Sequence, residues 1–329
     1  MTTQKKSSDS YLLLTLMLVL GGLVCPAASA QTDAQDPEQS QWGGHWESPL
    51  HQDHPLTGQI WMAAQQRFVS REELLTRLQQ SPVLLLGEKH DNPDHHRLRL
   101  LLLEPLLLSS DSALLVLEML NRGQQAHIDT LATDSLPPEG PALAEHLAWN
   151  EEAWPWQFYG PAVSLARQRG AQMRAGNIDD SDVMAIYRDT RPASPQTLAA
   201  EQLAQLERDI DSSHCGMLPA EQFPAMVRVQ QARDQQMADA LTADPDRFDR
   251  RILLAGNYHI RHDLGVPNYL PEQMSAPLSV AFLEVDPEHD VPTDYLQQFS
   301  DIAAYDVIWF TPALRPDDYC ADMRAGSSQ

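Results

Sequence analysis

The chain has 329 residues and a strongly acidic balance, with 46 Asp and Glu against 23 Lys and Arg and a formal net charge of −23. Because this excess of negative charge repels phosphate groups, we expect neither nucleic acid nor an anionic membrane surface as a partner. Hydrophobic residues make up 43% of the sequence, which is enough for a chain of this length to bury a core.

The first 30 residues have the pattern of a secretory signal peptide. Two lysines precede an apolar stretch at 12–24, and an A-x-A cleavage site ends at Ala30. The apolar stretch is too short to span a bilayer as a helix. We therefore predict export, in a bacterium to the periplasm, with a mature chain that begins at Gln31. The alternative is a lipid anchor on Cys25, but Val24 is larger than the residue that precedes the cysteine in lipid-attachment signals.

A polar leader separates the signal from the first buried strand. Residues 31–53 are rich in Gln, Asp, Glu, His and Pro, which predicts a flexible segment. Ser70 and Glu73 then form a capping box, which predicts the start of a helix. That helix leads to Val83–Leu86, an apolar run without polar alternation. Such a run is typical of a strand buried on both faces, as in a parallel sheet.

A polar turn follows this strand. Glu88 and His90 come first, and an Asn-Pro turn signal comes next. We predict that Asp94 caps a helix over 95–107 and that Pro105 kinks or shortens it. Ligands of open α/β sheets bind beyond the carboxyl ends of the strands, so we expect any chemistry at this turn.

Apolar runs predict further strands at 114–117, 172–178, 251–255, 279–285 and 305–310. The first of them ends at Glu118, and His259 lies just past the run at 251–255. The carboxyl ends of parallel strands meet at one edge of a sheet, so Glu88, His90, Glu118 and His259 are predicted to form a polar pocket. The predicted fold class is α/β, with a mostly parallel central sheet flanked by helices and an inserted helical sub-domain.

Stretches without strand signals predict helical insertions around 121–160 and 190–245. The first contains Trp149, Trp154 and Trp156, which either wall a flat ligand or, more commonly, form a sub-domain core. The α/β domain is thus predicted at 54–315, between the leader and a C-terminal tail at 316–329.

Cys215 and Cys320 are the two cysteines after the predicted cleavage site. In an oxidising compartment we expect them to form a disulfide that ties the tail to an internal loop. Because the sequence has no C-x-x-C pair, a structural zinc-thiolate site is not expected. It also lacks a Gly-rich phosphate loop and a G-x-S-x-G elbow, which argues against nucleotide binding and an ordinary serine hydrolase.

Several motifs occur in an order that resembles one known family. From about His54 to Phe310 they read HPLTGQIW, LLLGEKHDNPDHH, LVLEML, FYGPAVSLA, AGNI, SSHCGMLP, AGNYHIRHDLGVPNYL and YDVIWFTP. With them the chain resembles the ChaN-like haem-binding family, which belongs to a wider superfamily with the Tiki proteins and the erythromycin esterases. The resemblance implies the α/β fold of these proteins.

The resemblance to the haem-binding family implies an exported protein that binds haem or an iron complex and assists its uptake, with envelope uptake machinery as an unidentified partner. It also implies haem held at a homodimer interface, with a tyrosine as iron ligand and basic side chains near the propionates. Tyr159 and Tyr258 are the candidate ligands. Lys89 is the candidate propionate partner, with His90 or Arg261 as assisting residues.

The wider superfamily implies a second hypothesis, a metal-dependent hydrolase that uses Glu88, His90, Glu118 and His259. In that hypothesis His90 and His259 bind a divalent metal and a glutamate acts as general base. The same four residues are alternatively a relic pocket held by mutual hydrogen bonds. A third hypothesis is an accessory protein of the envelope that binds no cofactor.

Overall fold

A computed structural model describes residues 45–131, 139–189, 198–296, 302–315 and 320. The predicted signal peptide at 1–30, the lipid-anchor residue Cys25 and most of the leader at 31–53 lie outside the described residues. The tail at 316–329 also lies outside them, apart from Cys320. Parts of the two predicted helical insertions, at 132–138 and 190–197, are not described either.

An eight-stranded sheet forms the centre of the described chain. In chain order its strands are β1 (Ile60–Met62), β2 (Arg67–Val69), β3 (Val83–Leu86), β4 (Ala113–Asn121), β5 (Gln172–Asn177), β6 (Arg250–Leu254), β7 (Leu278–Glu284) and β8 (Val307–Thr311). They lie side by side in the order β2-β1-β8-β7-β3-β6-β4-β5. Strand β1 is antiparallel to β2 and β8, and the other neighbours are parallel. The predicted α/β class with a mostly parallel sheet is confirmed, while the β1–β2 hairpin was missed because its strands are only three residues long.

Helices cover both faces of this sheet. They are α1 (Arg71–Gln80), α2 (Pro93–Leu108), α3 (Gln125–Leu131), α4 (Pro141–His146), α5 (Trp156–Gln168), α6 (Asp180–Arg188), α7 (Ala200–Ser213) and α8 (Phe223–Thr242). None of the helices in the described ranges combines the length and hydropathy needed to cross a bilayer. Helices α6, α7 and α8 follow one another between β5 and β6, and α7 and α8 lie in the region predicted as the second helical insertion.

Strand β3, in the middle of the sheet, is apolar at every position because both faces of the sheet are covered. Leu84 and Leu86 of β3 belong to a core cluster with the leucines of α2. Leu85, between them, points to the other face and belongs to a second cluster with Met237 and Leu241 of α8. Leu206, Ile210 and Val227 form a smaller third cluster where α7 meets α8.

The start of α2 corrects one prediction. Asn92, rather than Asp94, caps the helix, and its side-chain oxygen accepts hydrogen bonds from the backbone N–H groups of Asp94 (2.9 Å) and His95 (3.3 Å). Proline is well suited to the first helical position because it has no N–H to satisfy, which places the cap one residue before Pro93. The Asp94 carboxylate instead accepts from the backbone N–H of Ser48 (2.9 Å) and so fixes the start of the described chain.

The end of α2 and the cysteines give two further outcomes. Pro105 does not shorten α2, which continues to Leu108, because the buried Leu106 and Leu107 hold this last turn against the core. The predicted disulfide between Cys215 and Cys320 is present, with a Cα–Cα distance of 5.4 Å. It joins the loop after α7 to the C-terminal region.

Candidate functional site

The four predicted pocket residues meet at the carboxyl edge of the sheet. Strand β6 lies between β3 and β4, so residues that follow β3 and β6 approach the end of β4. Glu88, His90 and His259 line a cleft of about 380 Å³ at this edge. Glu118 of β4 lies beside it, in contact with His259. Sheet topology therefore brings together side chains that lie up to 171 positions apart in the chain.

Glu88 is the centre of a buried charge network. It is 1% exposed, and its Oε1 accepts a hydrogen bond from the Tyr159 hydroxyl at 2.8 Å and lies 2.9 Å from His90 Nδ1. Its Oε2 lies 2.8 Å from the Arg99 guanidinium and 3.0 Å from His96 Nδ1. Burial alone would raise the pKa of Glu88, but the charge of Arg99 and the hydrogen bonds from the two histidines hold that pKa well below its ordinary value.

Arg99 and His96 are members of this network that sequence reasoning missed. Both lie on the inner face of α2 and are almost fully buried. A buried arginine within a leucine-rich helix requires a partner, and Glu88, just after the preceding strand, is one of the acidic residues near Arg99 in the chain. That spacing was the available signal for the Arg99–Glu88 pair.

His90 is the exposed member of the site. Half of its side chain is accessible, and its ring packs against Trp154 with centroids 4.9 Å apart in an edge-to-face arrangement. Burial acts to lower the pKa of His90, but the hydrogen bond to Glu88 and the charges of Glu118 and Glu88 raise it above its ordinary value. Gly256 leaves room for the ring, because a Cβ at this position would lie 2.9 Å from His90 Cε1.

A second buried chain of titratable groups runs through Glu118, His259 and Asp234. His259 Nδ1 lies 2.6 Å from Asp234 Oδ1, and its Nε2 lies 3.3 Å from Glu118 Oε1. The other Glu118 oxygen accepts from the backbone N–H of Gly256 at 2.7 Å. Burial opposes each charge, yet the two carboxylates raise the pKa of His259 to about 10, while His259 and this hydrogen-bond network lower the pKa of Glu118 to about 2.

Asp234 was also missed from the sequence. It lies on α8 and is 1% exposed. Burial raises its pKa to about 6, although the nearby His259 acts to lower that pKa. The side-chain amide nitrogen of Gln230, one turn earlier on the same helix, lies 3.1 Å from His259 Nδ1. The spacing of Gln230 and Asp234, four residues apart on an otherwise apolar inner face, was the signal that predicts a polar contact.

Three of the candidate haem-binding side chains make hydrogen bonds to acidic residues. Tyr159 is 1% exposed and donates its hydroxyl to Glu88. The Tyr258 hydroxyl donates to Asp209 Oδ2 at 2.9 Å. Arg261 is buried and makes two hydrogen bonds to Asp263, at 2.8 and 2.7 Å. Sequence patterns did not connect these acidic partners with the candidate side chains.

Lys89 lines the cleft, as Tyr258 does, but its side chain is nearly half exposed. Its ammonium pairs with Glu284 at 2.6 Å. In the ranges that the structure describes, no group of three His, Cys, Asp or Glu side chains has the arrangement of a metal site. The hypothesis of a divalent metal on His90 and His259 therefore gains no support from this geometry, since His259 is enclosed by Asp234 and Glu118.

Comparison with known families decides the membership of the chain. The family model described as "Haem-binding uptake, Tiki superfamily, ChaN" matches residues 74–270. The chain belongs to this family. The matched range contains all four pocket residues as well as Arg99 and Asp234, so both buried networks lie within the part that this ChaN-family protein shares with its relatives.

Two solved structures were compared with the chain. The structure titled "Cofacial heme binding to ChaN of Campylobacter jejuni" aligns with a TM-score of 0.64 and 24% identity, over 76% of this chain and 95% of that chain. An erythromycin esterase in its open conformation aligns with a TM-score of 0.42 and 13% identity, over 79% of this chain and 99% of that chain. A search of curated proteins finds no match. The first similarity shows a common fold, and the second is too low to support an argument.

Proposed function

We propose that this protein is exported and binds haem or an iron complex in order to assist its uptake. The observation that carries the proposal is the family match over residues 74–270, whose description names haem binding and uptake. The related Campylobacter jejuni structure, whose title describes cofacial haem binding, supports the same ligand. Its title also motivates the further proposal that two copies of this chain associate around haem.

The residues of the cleft fit a haem in part. A haem needs an axial ligand atom for the iron and cationic groups for its propionates. The cleft offers the half-exposed His90 imidazole and the Lys89 ammonium, and Phe282 adds an apolar wall. The cleft volume of about 380 Å³ is at the lower end of the range for small-molecule sites, so one face of a bound haem would remain outside it.

A haemin titration of the protein tests this proposal. We expect a saturable change in the visible absorption spectrum, and a protein that sediments as a dimer only when haem is bound. A blank titration of the same haemin into buffer controls for the spectral change of free and aggregated haemin. A linear, non-saturable spectral change would contradict haem binding, whereas saturable binding to a monomer would contradict only the dimer.

A hydrolase is the second candidate, favoured by one specific observation. The buried chain from Asp234 through His259 to Glu118 places acid–base groups beside the cleft, and such groups catalyse hydrolysis when substrate is in reach. The test is a screen of ester and amide substrates with and without added Zn²⁺ or Mn²⁺. Turnover that disappears in His259→Gln would support this function, and no turnover under any of these conditions would contradict it.

A further inference from the structure

The amino edge of the sheet holds a cavity that the proposed function does not use. Its volume is about 470 Å³, against about 380 Å³ for the cleft at the carboxyl edge. Three segments enclose this amino-edge cavity: the start of β3, the connection from α8 to β6, and the loop before β7 at 271–275. Its volume falls within the range of small-molecule sites in proteins.

The walls of the amino-edge cavity are largely apolar and are stiffened by proline. Phe248 supplies an aromatic ring and Met274 a flexible thioether. Each enclosing segment also contributes one proline, namely Pro82, Pro245 and Pro271. Because the proline ring fixes the backbone φ angle, these segments have little conformational freedom to lose when a ligand binds. The walls therefore suit a compact apolar body, and the ring of Phe248 suits a flat one.

Arg251 supplies positive charge to the wall, but its hydrogen-bond donors are already engaged. It is 5% exposed, and its two terminal nitrogens donate to the backbone carbonyl oxygens at positions 241, 243, 244 and 245. Four of the five N–H donors of the guanidinium are thus taken. These carbonyls belong to the end of α8, where the helix dipole is negative and offsets the positive charge. Arg251 therefore holds the wall in shape and has little left to offer an anion.

Asp246 is the charged side chain of the cavity that lacks a direct partner. It is exposed, and within the described ranges its carboxylate forms no ion pair or hydrogen bond, although the charge of Arg251 acts on it. The side chains of Gln273 and Ser275 also line the cavity, are exposed and make no hydrogen bond in the same ranges. The formal net charge of the chain, −23, attracts cations to all of these groups.

We propose that the amino-edge cavity binds an organic amine with a flat apolar body. Its ammonium group pairs with Asp246, and its body packs against Phe248 and Met274. An ammonium has three N–H donors, so the oxygens of Gln273 and Ser275 can accept those that Asp246 does not. The inference is independent of haem binding, because the cavity and the cleft lie at opposite edges of the sheet.

Three naphthalene probes of similar size test the charge preference. Naphthylmethylamine is a cation at neutral pH, naphthylmethanol is neutral and naphthoate is an anion. Isothermal titration calorimetry of the full chain at low ionic strength measures the affinity for each. We expect saturable binding, with the amine bound about three- to fivefold more tightly than the alcohol, as for an exposed ion pair, and the anion bound most weakly. No saturable binding of the amine, or tightest binding of the anion, overturns the proposal.

Substitutions locate the binding site of these probes. Asp246→Asn should abolish the preference for the amine over the alcohol and leave the affinity for the alcohol unchanged. Asp53→Asn is the matched control, because it removes an exposed negative charge that does not line the cavity, and it should keep the preference. Phe248→Ala and Met274→Ala should each weaken the binding of the amine and the alcohol, with circular dichroism to check that both variants are folded. A preference that survives Asp246→Asn, or affinities that neither wall variant changes, overturns the proposal.

Discussion

Replacing Arg99 by methionine tests whether the buried Glu88 network stabilises the fold. Both side chains are almost fully buried and lie 2.8 Å apart, and removal of one partner from a buried ion pair typically costs about 3–5 kcal/mol. Glu88 keeps the Tyr159 hydroxyl and the nearby nitrogens of His90 and His96 as neighbours. We therefore expect the lower end of that range, about 3 kcal/mol in the free energy of unfolding, or a fall in Tm of roughly 6 °C or more.

Urea denaturation followed by far-UV circular dichroism measures this loss. Arg169→Met is the matched control, because Arg169 forms an exposed pair with Glu104 whose removal should cost less than about 1 kcal/mol. The double variant Glu88→Gln with Arg99→Met should be more stable than Arg99→Met alone, since it leaves no uncompensated buried charge. If Arg99→Met loses no more stability than Arg169→Met, the reasoning about this network is refuted.

Three further predictions concern pH, the disulfide and Gly256. The pKa of His259 is raised from 6.5 to about 10, so the stability that its charge contributes is complete below about pH 6.5 and is lost as the pH rises through 10. The Tm measured across this range should therefore fall in the wild type and fall less in His259→Gln. Parallel curves of Tm against pH for the two proteins would contradict the assignment. Because the pKa of Glu118 is lowered to about 2, its ionisation stabilises the fold above about pH 4.5, and this stability is lost as the pH falls. The raised pKa of Asp234 has the opposite effect, a loss of stability that grows as the pH rises from about 3.8 to 6. Cys320→Ser should lower the free energy of unfolding by about 2–4 kcal/mol, because the disulfide closes a loop of 105 positions; a reductant should destabilise the wild type and leave the variant unchanged. Gly256→Ala should displace the His90 ring and change the spectrum of the haem complex without loss of the folded circular dichroism signal, and an unaltered spectrum would count against the close contact.

Predictions from local sequence succeeded where a single element decides the outcome. The apolar run at Val83–Leu86 forms a strand buried on both faces, and Ser70 caps α1 through the backbone N–H of Glu73. The pocket residues also came together, because strand ends carry the chain to one edge of a parallel sheet. The cap of α2 was placed two residues late, since Asn92 and Asp94 are both good capping residues and only the position of Pro93 within the first turn distinguishes them.

By itself the sequence determined the α/β class, and it predicted that Glu88, His90, Glu118 and His259 meet at the carboxyl edge of the sheet. Periodicity and turn signals are local, so they can be recognised without knowledge of distant contacts. Only the tertiary structure decided the partners: Arg99 and Tyr159 on Glu88, Asp234 on His259, and Asp209 on Tyr258. These contacts join residues that lie far apart in the chain, so local sequence patterns do not reveal them. In the low dielectric of the interior they shift the pKa values of the groups involved.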